Sequence, residues 1–104
     1  AGEIPSTKVY EDDYVYAFKD INPLAPVHVL VVPKTHISGA NEITSENSAV
    51  VSQIFEAAAK IAKEQGIADD GFRIVTNCGE NGCQSVKHLH FHILGGRKLD
   101  VTMG

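Results

Sequence analysis

Cysteine, basic residues and long apolar runs are all scarce in this chain, and each scarcity removes a class of protein. Cys78 and Cys83 are the only cysteines among 104 residues, too few for the disulfide framework of a small secreted domain. Their C-x4-C spacing brackets Gly79 and Gly82 and is looser than the CxxC pairs usual in zinc sites, so both are read as free thiols without an assigned role. Nine Lys and Arg stand against 13 Asp and Glu, a formal net charge of −4. That balance leaves no basic footprint for duplex DNA or extended RNA. A small anion stays admissible, because imidazoles and backbone N–H groups can hold one locally despite net negative charge. No apolar run approaches the roughly 20 residues that cross a bilayer, and nothing resembles a signal peptide. Repeats, low-complexity tracts and linkers are lacking too. What these absences leave is a soluble, cytoplasmic chain that binds neither nucleic acid nor membrane, read as a single domain over residues 1–104.

What is present has a clear order. Lys8-Val9-Tyr10 and Tyr14-Val15-Tyr16-Ala17-Phe18 are β-branched and aromatic runs joined by an acidic turn, which predicts two paired strands. Asp20 to Pro26 carries Asn22, Pro23 and Pro26 and reads as a loop. Val27 to Val32 is apolar on both faces apart from His28, as a central strand is, and Pro33 ends it. From Ser45 the period changes: Val51, Ile54, Phe55, Ala58, Ile61 and Ala62 follow the stripe of an amphipathic helix. Thr44 or Ser45 is the expected cap, and Gly66 the expected left-handed stop. Phe72 to Asn77 and His88 to Leu94 are the last two predicted strands, separated by a Gly-rich loop. The predicted class is α+β, a mostly antiparallel five-stranded sheet with one long helix.

The last predicted strand carries the chemistry. Side chains alternate faces and advance roughly 6.6 Å per two residues, so His88, His90 and His92 share one face while Leu89, Phe91 and Ile93 enter the core. Neutral imidazole is a nucleophile and imidazolium a cationic donor, so clustered histidines can divide these tasks. His90, between the other two, is the natural nucleophile. Gly79, Gly82, Gln84 and Ser85 form a loop whose backbone can approach an anion closely. Phosphate suits it better than carboxylate, since several oxygens can use the loop N–H groups, Ser85, Asn77 and imidazolium together. Zinc is the competing reading; reaching one ion from positions i, i+2 and i+4 strains a straight strand. A purely structural triad would need a hydrogen-bond partner for every buried ring.

His88-Leu89-His90-Phe91-His92-Ile93-Leu94 resembles the histidine triad (HIT) signature, His-φ-His-φ-His-φ-φ with φ apolar. The similarity extends from Gly2-Glu3-Ile4-Pro5 through Tyr16 to Pro23 and Pro33-Lys34-Thr35-His36-Ile37 to Gly95-Gly96-Arg97. That last motif looks like the nucleotide-binding branch, the purine nucleoside phosphoramidases. The resemblance implies the HIT-like fold, a twofold homodimer, and a hydrolase that cleaves a purine nucleoside phosphoramidate to the 5′-monophosphate and an amine. Within it, His90 forms a nucleotidyl-histidine, His92 and His88 contact phosphate or orient the nucleophile, and His36 supports the triad. Asn77, Gln84, Ser85 and Val86 lie beside the phosphate and leaving group. Asp20 accepts the ribose hydroxyls, which suits an acceptor-only carboxylate, and Phe18 and Ile21 form part of the base pocket. The partner implied is AMP, GMP or an aminoacyl-adenylate-like substrate, with no metal or cofactor required. A dinucleoside polyphosphate hydrolase, or a nucleotide-binding scaffold with weak catalysis, is the alternative. Without the resemblance, Asp20 reads as a turn carboxylate, Phe18 and Ile21 as ordinary core, His36 as a solvated loop residue and His28 as a hydrogen-bonded core residue. Among its departures from the resembled pattern, two lie in the C-terminal part. A Trp-Pro-Pro-Gly-like tail is replaced by Lys98 to Gly104, and Cys83 stands where glycine is common.

Overall fold

The computed structural model describes residues 7–102, so the expected Gly2 to Pro5 match lies outside the described residues. Five strands run as β1 (Lys8–Glu11), β2 (Val15–Lys19), β3 (Val27–Pro33), β4 (Phe72–Val75) and β5 (Phe91–Gly95), with one long helix, α1 (Ala49–Glu64), between β3 and β4. They form one antiparallel sheet in the order β1-β2-β3-β5-β4. The expected α+β class is what the structure has. β3, the run apolar on both faces, is the central strand, as its composition requires.

Helix α1 covers one face of the sheet. Ile54, Ala57, Ala58, Ile61 and Ala62 are its buried residues, and they pack with Val15, Ala17, Val29, Val31, Leu89, Phe91 and Ile93 into one cluster. The periodicity therefore located the helix correctly but tilted its stripe, because Phe55 is 46% exposed and meets Phe91 edge to face. Among the described residues no helix is long and apolar enough to cross a membrane.

Three boundaries differ from expectation, each for a local reason. The helix begins after Ser48, not at Thr44 or Ser45. Asn47 takes the Thr44 N–H on its side-chain oxygen at 2.7 Å and donates to Glu42 O at 3.0 Å, which holds residues 44–47 in a turn of their own. A short 3-10 helix at Ala40–Glu42 precedes it. Strand β4 stops at Val75, not Asn77, because the Thr76 hydroxyl donates to His90 O at 2.7 Å. β5 starts at Phe91, so His88 and His90 precede it. There the Leu89 N–H pairs with Ile37 O at 2.6 Å. The alternation of faces survives nonetheless, with Leu89, Phe91 and Ile93 buried at 1%, 8% and 0% exposure. Gly66 ends the helix region at φ 75, as expected.

The Gly95-Gly96-Arg97 segment ties the end of β5 to the loop between β2 and β3. Gly96 adopts φ +94, and a Cβ there would sit 2.9 Å from Pro26 Cβ. Arg97 then donates to Leu24 O at 3.1 Å, pinning the loop that carries Asp20 and Ile21. A Gly96→Ala substitution combines a left-handed conformation with a rigid clash. It is expected to destabilise the fold by about 1–3 kcal/mol, read as a lower urea midpoint; an unchanged midpoint would show that the contact is not tight.

Candidate active site

The sheet face opposite the helix holds the candidate residues. Register places Phe18 opposite Leu30, Leu30 opposite His92, and His92 opposite Val75, one row across four strands. Two residues along β3, His28 pairs with Leu94. Because strand side chains alternate faces, His28 and His92 lie diagonally on the same face, and their rings meet.

Hydrogen-bond partners that cannot change role decide where each imidazole proton sits. A backbone carbonyl only accepts and a backbone N–H only donates. The His88 carbonyl lies 2.8 Å from His90 Nδ1, so that nitrogen carries the proton and Nε2 of neutral His90 keeps its lone pair. The Pro33 carbonyl lies 3.2 Å from His88 Nε2, so His88 is protonated there and its Nδ1 accepts from His36 Nδ1 at 2.8 Å. The Leu24 N–H donates to His28 Nδ1 at 3.1 Å. His28 Nε2 therefore donates to His92 Nδ1 at 2.9 Å, and the proton of neutral His92 is left on Nε2. His90 and His92 meet edge to face, centroids 5.2 Å apart.

The structure thus joins all five histidines of the chain in two hydrogen-bonded groups. His36, expected beside the triad, meets it at His88. Both of His88's ring nitrogens are taken, and its carbonyl faces His90. His28 was expected to be a hydrogen-bonded core residue; it is buried, at 5% exposure, but its partner belongs to the triad. Only strand register reveals that link, and register is not written in the local sequence.

Around the histidines, Asn77 closes the Gly-rich loop by donating to Gly82 O at 2.8 Å. Gln84 accepts from Gly79 N–H at 2.9 Å and donates to Ser38 O and Val86 O at 2.7 and 2.9 Å. Its amide clamps the loop against residue 38. Ser85 and Val86 are exposed beside it. Cys83 adopts φ 62, the left-handed region that costs a side chain and favours glycine. Asp20 accepts the Asn22 N–H at 2.8 Å, the turn role, while its other oxygen lies 3.5 Å from His28 Nε2. Phe18 stacks on Tyr16 outside the core cluster, and Ile21 is 71% exposed, so neither is an ordinary core residue.

Asp20, His28 and His92 each place one ligating atom within 4.8 Å of the others, a spacing that a divalent ion accepts. The proton arrangement counts against that use. A metal on His28 Nε2 would move the ring proton to Nδ1, against the Leu24 N–H that it now accepts.

Burial is the largest cause holding the His92 and His28 pKa values below the ordinary 6.5; His90 and His28 lower His92 further, and Asp20 opposes the shift at both rings. The folded chain therefore refuses protons that the unfolded chain accepts once pH falls below 6.5. Stability is full above that value and is lost as pH falls through the window down to the lowered folded values. Urea midpoints are expected to decline from about pH 7.5 to 5.5; a flat profile would contradict the burial of neutral rings.

The HIT domain profile matches residues 1–99. The chain is 46% identical over 97 residues to the purine nucleoside phosphoramidase of Escherichia coli strain K12, covering 93% of this chain and 82% of that protein. The solved structure of a histidine triad protein from Clostridium difficile superposes with a TM-score of 0.93 at 55% identity, covering 97% of this chain and 88% of that one. A HIT family hydrolase from Clostridium thermocellum does so with a TM-score of 0.93 at 50% identity over the same shares. With its histidine run, its sheet order and these likenesses in agreement, the chain belongs to the HIT domain family of hydrolases.

Proposed function

We propose that the chain is a nucleotidyl hydrolase that cleaves purine nucleoside phosphoramidates to the nucleoside 5′-monophosphate and an amine. The observation that carries this reading is the 2.8 Å bond from His90 Nδ1 to the His88 carbonyl, which leaves Nε2 as the free lone pair of the site. The activity of the Escherichia coli relative supports the substrate class.

In this scheme His90 Nε2 attacks the α-phosphorus in line, forming an N–P bond as the P–N bond to the amine breaks. The bonding pair leaves with the amine nitrogen, which takes a proton from solvent as it departs. The phosphorylated ring becomes an imidazolium whose Nδ1–H stays on the His88 carbonyl, so the new charge is met by an oriented acceptor. His92 Nε2–H donates to a phosphoryl oxygen as charge builds there. Water then attacks phosphorus and gives up a proton to solvent, the N–P bond breaks, and His90 regains its lone pair. Asp20 takes the ribose hydroxyls, Phe18 and Ile21 the purine face, and the Asn77 to Val86 loop the phosphate and leaving group. Gln84 acts through the clamp that it closes.

The chain works as a homodimer in this reading. Among the described residues no strand lies beyond β4 at its edge of the sheet, and Phe55 and Phe72 are exposed at 46% and 37%, features that a second copy would cover. Gel filtration at micromolar concentration is expected to report a dimer, and a monomer would remove the second copy from the account.

The activity is tested with adenosine 5′-phosphoramidate. A quenched reaction is expected to yield a peptide carrying one adenylyl group on His90, and His90→Ala is expected to lose roughly 10⁴-fold or more in turnover while AMP still binds. Hydrolysis by that variant at the wild-type rate would defeat the proposal.

A further inference from the structure

His90 stands just outside the ladders that hold the sheet together. Pairing of β3 with β5 ends at Val31 and Phe91, and pairing of β4 with β5 ends at Val75 and His92. Two residues further along the same antiparallel register, Asn77 would lie opposite His90. The chain leaves the sheet before that point, because the Asn77 side chain donates to Gly82 O at 2.8 Å and opens the Gly-rich loop. A side chain meets the His90 carbonyl instead. The Thr76 hydroxyl donates to it at 2.7 Å in a half-buried position, supplying the partner that a peptide oxygen withdrawn from water needs.

We propose that Thr76 is a positioning residue for His90: its hydroxyl replaces the next rung of the β4–β5 ladder and fixes the nucleophile relative to the loop that begins one residue later. The inference deepens the hydrolase reading and rests on it for the role of His90. The approach to β5 is tied to the far side by the Leu89 N–H, which pairs with Ile37 O at 2.6 Å, and by His88 Nε2, which faces Pro33 O at 3.2 Å. The Thr76 bond ties the same short stretch to β4. Thr76 and Asn77 are neighbours, so one dipeptide holds the nucleophile with a hydroxyl and closes the loop with an amide.

The orientation of the ring follows from that hold. His90 Nδ1 lies 2.8 Å from the carbonyl of His88, two residues back, a contact that lasts only while the torsions of Leu89 and His90 keep their values. An anchored His90 carbonyl fixes the last of those torsions. Freed, the peptide after His90 can rotate, the ring loses its acceptor on Nδ1, and both tautomers become accessible. In-line attack is intolerant of such freedom, since a displacement of about 1 Å can cost on the order of 100-fold in rate.

Shape and hydrogen bonding are separable at this position. Valine keeps the outline of threonine and lacks the hydroxyl; serine keeps the hydroxyl and lacks the methyl. A packing role predicts that Thr76→Val is benign and Thr76→Ser is not, and the positioning role predicts the reverse. Long-range ¹H–¹⁵N correlation spectra of the imidazoles, recorded above neutral pH, read the tautomers without substrate. The wild type and Thr76→Ser are expected to show His90 protonated on Nδ1, while Thr76→Val and Thr76→Ala show both tautomers. With adenosine 5′-phosphoramidate, kcat is expected to fall about 10-fold in Thr76→Val and Thr76→Ala and to stay within about threefold in Thr76→Ser, with KM moving less than about twofold in all three. Identical His90 spectra in the wild type and Thr76→Val would overturn the proposal, and so would a Thr76→Ser enzyme as slow as Thr76→Val. Because the spectra need no turnover, a protein that shows the expected tautomers but hydrolyses nothing would refute the hydrolase reading and leave the hold of Thr76 on His90 standing.

Discussion

The site depends on backbone groups that have only one hydrogen-bonding role. Imidazole is ambiguous by itself, because either nitrogen can hold the proton of the neutral ring. In this chain the carbonyl of His88 faces His90, the carbonyl of Pro33 faces His88 and the amide of Leu24 faces His28. Each contact removes one choice, and the remaining rings follow from their neighbours. A cluster of interchangeable side chains becomes a set of fixed donors and acceptors. Main-chain positions are set by strand pairing and loop closure, so the assignment of roles is a property of the fold as much as of the triad.

That dependence extends to residues outside the histidine cluster. Arg97 binds Leu24 O, and Gly96 bends against Pro26, which together fix the loop from which Leu24 presents its N–H. On the other side, the Leu89 amide pairs with Ile37 O, the Gln84 amide reaches Ser38 O, and His36 meets His88. The segment 36–38 is thereby stitched to the approach of β5 at successive points. Burial of His28 and His92 keeps both rings neutral at neutral pH, so their contacts are those of fixed donors and acceptors.

Much of this was legible in the residues themselves. Period-two runs located β1, β2 and β3, and the 3.6 period located α1, because those elements each bury one face against the same core. The triad was legible for the same reason: Leu89, Phe91 and Ile93 had to enter the core, and the histidines between them had to face outward. Where side chains compete with backbone, the reading slipped. Thr76 and Asn47 take main-chain partners, so β4 ends and α1 starts where local propensity did not place them. The role of His28 was not legible, since a histidine in an apolar strand acquires meaning only once β3 and β5 are set in register. Gln84 likewise read as a ligand contact, and the structure engages its amide within the protein.

The most direct measurement of the central claim is neutron diffraction from deuterium-exchanged crystals grown above neutral pH. The account requires deuterium on His90 Nδ1, His88 Nε2 and His28 Nε2, and none on His90 Nε2. Deuterium on His90 Nε2, with Nδ1 bare, would put the lone pair on the wrong side of the ring and contradict it.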